Sequence, residues 1–195
     1  LIEKGNMRPI PIDVIPAHIY LSQEDQTKLF GSGYAMTIEG ELTQGGQHNY
    51  EETVEIIGKL KRSLRVHVLG PNWERSFVEL SETEALFLGL KAPLAMSGDL
   101  TEAAECTVVG PCGEINLKSG VIVPKPHLRC SPIQSRELGV SNGDRISVEI
   151  LGTSKKVLED VAVRVHPTFQ LRVEINADYA RELWIARTSH ARLID

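Results

Sequence analysis

The sequence predicts a mainly β fold, two small barrels related by internal duplication and each capped by short helices. Three observations lead there. β-branched residues sit in short, strand-length runs separated by Gly, Pro and Asn turn signals. One local device, a short alternating strand that ends on a helix-capping residue, recurs along the chain. Two copies of that device open on histidine, His18 and His127, 109 residues apart, which reads as a duplicated half.

The device runs His18-Ile19-Tyr20-Leu21-Ser22, Phe77-Val78-Glu79-Leu80-Ser81, His127-Leu128-Arg129-Cys130-Ser131 and Arg172-Val173-Glu174-Ile175-Asn176. Ser and Asn are preferred N-caps, so helices are predicted from Gln23, Glu82, Pro132 and Ala177. Glu84 and Gln134, three residues after their caps, complete capping boxes. Pro132 occupies the first helical position, where a missing N–H is harmless. Leu29, Leu88, Leu138 and Leu183 mark the buried side of each two-turn helix, and Gly31, Gly89 and Gly139 end the first three. Helices this short are marginal alone, so they must cap something larger.

That larger body is strand. Residues 53–57, 64–69, 106–109, 121–123, 146–150 and 161–165 are β-branched runs, punctuated by Gly70-Pro71, Gly110-Pro111, Ser97-Gly98-Asp99 and Asn142-Gly143-Asp144. Many short strands with regular turns suggest barrels rather than a parallel sheet. The expected division is an extended arm over 1–14, a first capped barrel over 15–100 and a second over 101–195. Exchange of strands between the halves is left open.

Composition narrows the function. With 42% apolar and 24% charged residues the chain can build a core. Its 26 acidic and 21 basic residues give −5, which argues against nucleic acid. No apolar run is long enough for a membrane helix. Residues 1–4 carry no secretory pattern, and Cys106, Cys112 and Cys130 form no CxxC pair. The expected setting is therefore reducing and cytoplasmic.

Residues two apart on a strand share a face. His18 with Tyr20, Phe77 with Glu79, His127 with Arg129 and Arg172 with Glu174 therefore each point one way, and barrel mouths are a usual place for a site.

The motifs His18-x-x-Leu21-Ser22-x-x-Asp25-x-x-x-Leu29-Phe30-Gly31, Gln47-x-x-x-Glu51-Glu52-Thr53-Val54, Val68-Leu69-Gly70-Pro71, Val78-Glu79-Leu80-Ser81, Ser97-Gly98-Asp99 and Leu138-Gly139-Val140-x-x-Gly143-Asp144 resemble those of the PduL-type phosphate propanoyltransferases. The resemblance implies acyl transfer between coenzyme A and phosphate, with two zinc ions where the halves meet. Carried over by position, the first ligand set becomes His18, Tyr20 and Glu79, and the second His127, Arg129 and Glu174. Glu174 remains a plausible oxygen ligand. Tyr20 is a poor ligand, because its phenol must lose a proton near pH 10, and Arg129 cannot ligate at all. The arginine that the family uses for phosphate falls on Trp73, with Arg75 two residues on. The arginines that precede each histidine pair fall on Ala17 and Pro126.

Arg129 is therefore expected to stand in for the second metal, with Glu79 and Glu174 as its partners. Arg129 and Arg75 are the candidate catalytic residues. His18, Glu79, His127 and Glu174 are the candidate metal ligands, and Tyr20, Gln47, Trp73 and Ser97 the candidate substrate contacts. The expected cofactor is a single zinc ion, the second having been lost. Coenzyme A, an acyl phosphate, and a protein complex or homo-oligomer are the partners considered. Two functions follow. One is a divergent family member with a degenerate two-metal site, inactive or altered, serving as a structural or accessory subunit. The alternative is an active phosphate acyltransferase with a rebuilt single-metal site. The fold alone does not choose between them.

Overall fold

A computed structural model of the chain describes residues 8–42, 46–152, 156–185 and 189–194. The start of the expected arm, residues 1–7, lies outside the described residues. The elements in chain order are β1 (Ile10–Val14), β2 (His18–Tyr20), α1 (Gln23–Phe30), β3 (Ile38–Glu41), β4 (His48–Ile57), β5 (Ser63–Gly70), β6 (Phe77–Glu79), α2 (Glu82–Leu88) and β7 (Leu94–Ala95). They continue with β8 (Ala104–Val109), β9 (Glu114–Pro124), β10 (His127–Cys130), α3 (Pro132–Leu138), β11 (Arg145–Ile150), β12 (Val157–Val165), β13 (Arg172–Ile175), α4 (Ala177–Leu183) and β14 (His190–Ile194). The fold is mainly β, as predicted, with four short helices.

The chain divides into two compact units, residues 16–124 and residues 1–15 with 125–195. In the first, β4 pairs with β5, β5 with β2, β2 with β6, β6 with β9, β9 with β8, and β8 closes the ring on β4. In the second, the barrel runs β1-β13-β10-β12-β11-β14 and closes on itself. Strand senses correspond step by step. β2 is parallel to β5 and antiparallel to β6, while β10 is parallel to β12 and antiparallel to β13.

β1 fills, beside β13, the parallel position that β9 fills beside β6. Each of these strands belongs to one unit and leads directly into the histidine strand of the other. Residues 10–14, read from sequence as arm, are thus a barrel strand with Ile10 and Ile12 in the core. Pro9 and Pro11 obscure that alternation in the sequence, but Pro11 faces away from the core at a position where a missing donor is tolerated. The expected boundary at 100/101 falls inside the first unit, because β8 and β9 complete its ring.

The helices begin where the caps place them. Ser22 accepts from the Asp25 amide, Ser81 and Ser131 form full capping boxes with Glu84 and Gln134, and Asn176 accepts from the amides of Asp178 and Tyr179. Asp25 closes no box. It accepts instead from the Ser76 hydroxyl at 2.6 Å, and the Ser22 amide donates to that same Ser76 oxygen. This ties the loop before β6 to the start of α1. Trp184 takes the left-handed end of α4 that glycine takes in α2 and α3.

Two glycines let helix ends settle onto turns. A Cβ on Gly58 would lie 2.0 Å from the Leu88 carbonyl oxygen, and one on Gly110 would lie 2.7 Å from that of Leu29. Gly58→Ala should therefore cost about 1–3 kcal/mol by overpacking. Thermal melts should show a clear fall in Tm for this variant and little change for Gly40→Ala, where no atom lies within 4 Å.

The thiols are segregated as well. Burial pushes Cys106 up to about 12 and also raises Cys130, whereas Cys112 is exposed. Since only thiolate reacts, a disulfide reagent at pH 8 should label Cys112 in the native protein. Cys106 and Cys130 should become reactive only on unfolding.

Candidate functional site

Strand register builds the same pair in each unit. β2 lies antiparallel to β6 with His18 opposite Glu79, and β10 lies antiparallel to β13 with His127 opposite Glu174. Residues directly opposite on an antiparallel pair project from the same face, so each histidine meets a carboxylate. All four side chains are buried.

In the first unit His18 Nδ1 lies 2.9 Å from the Pro16 carbonyl oxygen. A carbonyl only accepts, so Nδ1 carries a proton, which leaves Nε2 as the ring nitrogen that can offer a lone pair on the other side. Nε2 stands 3.4 Å from Glu79 Oε2. Glu79 Oε1 is buried with no hydrogen-bond partner. Two lone-pair donors facing each other beside an orphaned carboxylate oxygen suit a cation, and a backbone carbonyl holding the far ring nitrogen is the usual support of a metal-bound histidine. Imidazole nitrogen and carboxylate oxygen are donor types that zinc takes, and this pair supplies two of the three protein ligands of a catalytic site.

The third carried-over position does not add to it. Tyr20 is buried among rings, 5.2 Å from His18 and from Trp73 and 5.1 Å from Phe77 between centroids, and its hydroxyl donates to Gln47 Oε1 at 3.4 Å.

In the second unit His127 Nδ1 lies 3.0 Å from the Lys125 carbonyl oxygen, which fixes the same tautomer. Its Nε2 is taken. Arg129 Nε donates to it at 2.9 Å, and Arg129 Nη2 lies 2.9 Å from Glu174 Oε2. Without the guanidinium, His127 Nε2 and Glu174 Oε2 would face each other as bare acceptors 3.1 Å apart. The planar fork answers both lone pairs and supplies the charge that the carboxylate needs. The Phe169 ring lies under the guanidinium, 5.3 Å from centroid to Cζ. A permanently protonated group in this place leaves no lone pair for a metal, so these residues do not fit zinc.

Arg129 serves the pair built on its own strand face. Its partners in this unit are Glu174 and His127, and Glu79 is paired with His18 in the other unit. Register explains the pairing, since the histidine two residues back lies on Arg129's own strand face. Among the described residues no group of three or more metal-ligating side chains is gathered.

The remaining candidates cluster in the first unit. Trp73, Arg75 and Phe77 line a cavity of about 520 Å³ with Gly98, Asp99 and Thr101. Ser97 borders this loop without lining the cavity, and Gln47 stands apart with Tyr20. The loop is held by Asn72, which donates to Gln26 and to the Leu21 carbonyl, and by Ser76. Phe169 escaped the sequence reading. It sits in an irregular segment with no strand pattern, and nothing local signals that it lies against Arg129.

Comparison with known proteins agrees with this architecture. Residues 11–185 match the phosphate propanoyltransferase family. Phosphate propanoyltransferases of Citrobacter rodentium and Escherichia fergusonii are 40% and 39% identical over 181 residues, 92% of this chain and 86% of each relative. That of Lachnoclostridium phytofermentans is 39% identical over 172 residues, 88% of this chain and 80% of the relative. A match of this extent, together with two capped barrels and matched histidine strands, shows that the chain belongs to the phosphate propanoyltransferase family.

Proposed function

We propose that this chain is a divergent phosphate acyltransferase-family protein whose two-metal centre is degenerate, serving as a structural or accessory subunit with lost or altered activity. One observation carries the reading. The Arg129 guanidinium bridges His127 Nε2 and Glu174 Oε2, where the family resemblance expects a second zinc ion. A fixed cation reproduces the ion's charge balance and stabilises the buried carboxylate, but it has no open coordination position and no Lewis acidity to offer a substrate. Partners on this reading are a protein complex or a second copy of the chain.

A second reading rests on the other pair. His18, held by Pro16, and Glu79, with its orphaned oxygen, would hold one zinc ion. Zinc so held supplies Lewis acidity toward a thioester carbonyl. Arg75, exposed on the Trp73 loop, would then meet the phosphate of an acyl phosphate or of coenzyme A, and Trp73 would offer an aromatic face.

Elemental analysis of the purified protein beside an assay with propanoyl phosphate and coenzyme A separates the two. The first reading expects at most one zinc per chain, lost in His18→Ala, and no turnover. One zinc with turnover that disappears in His18→Ala establishes the second. Two zinc ions per chain with turnover would overturn the account of Arg129.

Stability provides an independent check. Arg129→Ala leaves a buried carboxylate without its cation and should cost about 3–5 kcal/mol. Denaturant unfolding should show this as a lower midpoint. Arg129→His restores a second imidazole beside His127 and Glu174, so added zinc should raise its Tm by more than it raises that of Arg129→Ala.

A further inference from the structure

The unit formed by residues 1–15 and 125–195 contains a cavity that neither reading uses. Its volume is about 470 Å³, and it opens beside the segment leading into β13, much as the Trp73 cavity opens beside the loop leading into β6. Arg8, Arg172 and His190 supply its basic groups, and among the described residues not one carboxylate lines it, Asp13 meeting Arg172 from beside the cavity. Pro9, Pro11, Phe169 and Leu171 form an apolar wall. In a chain with a −5 balance, a concave surface with two fixed cations and no lining acid is a local reversal of sign.

The state of Arg172 adds a second observation. Its Nε is buried and makes no hydrogen bond, although Asp13 Oδ2 lies 3.4 Å away as an ion-pair partner. Nη1 reaches only the carbonyl of its neighbour Leu171 at 3.3 Å. Nε is turned to Asp13, so the part of the guanidinium left for a ligand is its Nη end, whose only hydrogen bond among the described residues is that long one to Leu171. Ser131 and Gln134 also border the cavity, but their polar groups are engaged in the α3 capping box. Anion recognition here rests on the arginines.

We infer that this cavity is a binding site for an organic phosphate, with Arg172 and Arg8 taking the phosphate oxygens and the Phe169–Pro9–Pro11 wall taking the attached carbon skeleton. An arginine fork matches phosphate geometry, and two of them flanking one pocket suit a dianion better than a carboxylate. The apolar wall distinguishes a phosphate monoester from inorganic phosphate. None of its lining residues belongs to the His18–Glu79 pair or to the Trp73 cavity, so the inference does not depend on whether the chain is catalytic.

Isothermal titration with phenyl phosphate and with inorganic phosphate tests it, using the whole chain and its Arg8→Gln, Arg172→Gln and Arg75→Gln variants. The expected result is saturable binding of phenyl phosphate at least fivefold tighter than of inorganic phosphate. Affinity should fall at least tenfold in Arg8→Gln and Arg172→Gln and stay within twofold in Arg75→Gln. Arg172 also pairs with Asp13, so its variant is checked by thermal melt. Arg8, exposed at the rim, decides the matter if Arg172→Gln does not fold. Absence of binding, binding indifferent to Arg8, or binding lost only in Arg75→Gln would overturn the assignment.

Discussion

The constraint on which the site depends is strand register. Sliding β6 by one residue against β2 would turn Glu79 into the core and put an apolar neighbour opposite His18. The same holds for Glu174 on β13. Register is itself pinned from both ends. Each strand leads into a capped helix, and the apolar residues that alternate with the site residues, Ile19, Val78, Leu128 and Val173, are fully buried. The core thus aims the polar face. Aligning two buried histidine–carboxylate pairs requires no dedicated loop, only correct packing on the opposite side of the sheet.

Given that frame, the two units solve one electrostatic problem in different ways. A neutral imidazole and a carboxylate aimed at each other need a positive charge between or beside them. In the second unit the chain provides it covalently through Arg129, two residues along the same strand. In the first unit the matching position is Tyr20, whose ring joins an aromatic cluster and whose hydroxyl turns to Gln47. The orphaned oxygen of Glu79 is the physical trace of that difference. Duplication supplied two equal frames, and substitution at a single strand position made them chemically unlike.

Much of this was legible in the sequence. The capped strands were visible because capping chemistry is local: a Ser or Asn followed by Glu84 or Gln134 needs no distant partner to be recognised. The grouping of His18 with Glu79 and of His127 with Glu174 came from the family resemblance carried over by position. Three things were hidden. β1 looked like an arm, because Pro9 and Pro11 mask an alternation that only its distant pairing with β13 reveals. Arg129 was read with Glu79 and Glu174, but its bond to His127 was not foreseen, because spacing gives a shared face and not a contact. The place of Phe169 against Arg129 depends on an irregular segment whose path no periodicity encodes.

The placement of β1 and β9 also orders events on the ribosome. Residues 16–124 contain every strand of their own ring, so that barrel can close once Pro124 has emerged. β1 is synthesised first, yet its neighbours β13 and β14 are made last. For nearly the whole of translation it is a strand without a sheet, carrying Ile10 and Ile12 uncovered. Pro11 within it, and Pro9 just before it, then have a purpose beyond the folded state: a waiting strand that lacks a donor and is entered through a proline is a poor template for pairing with another nascent chain.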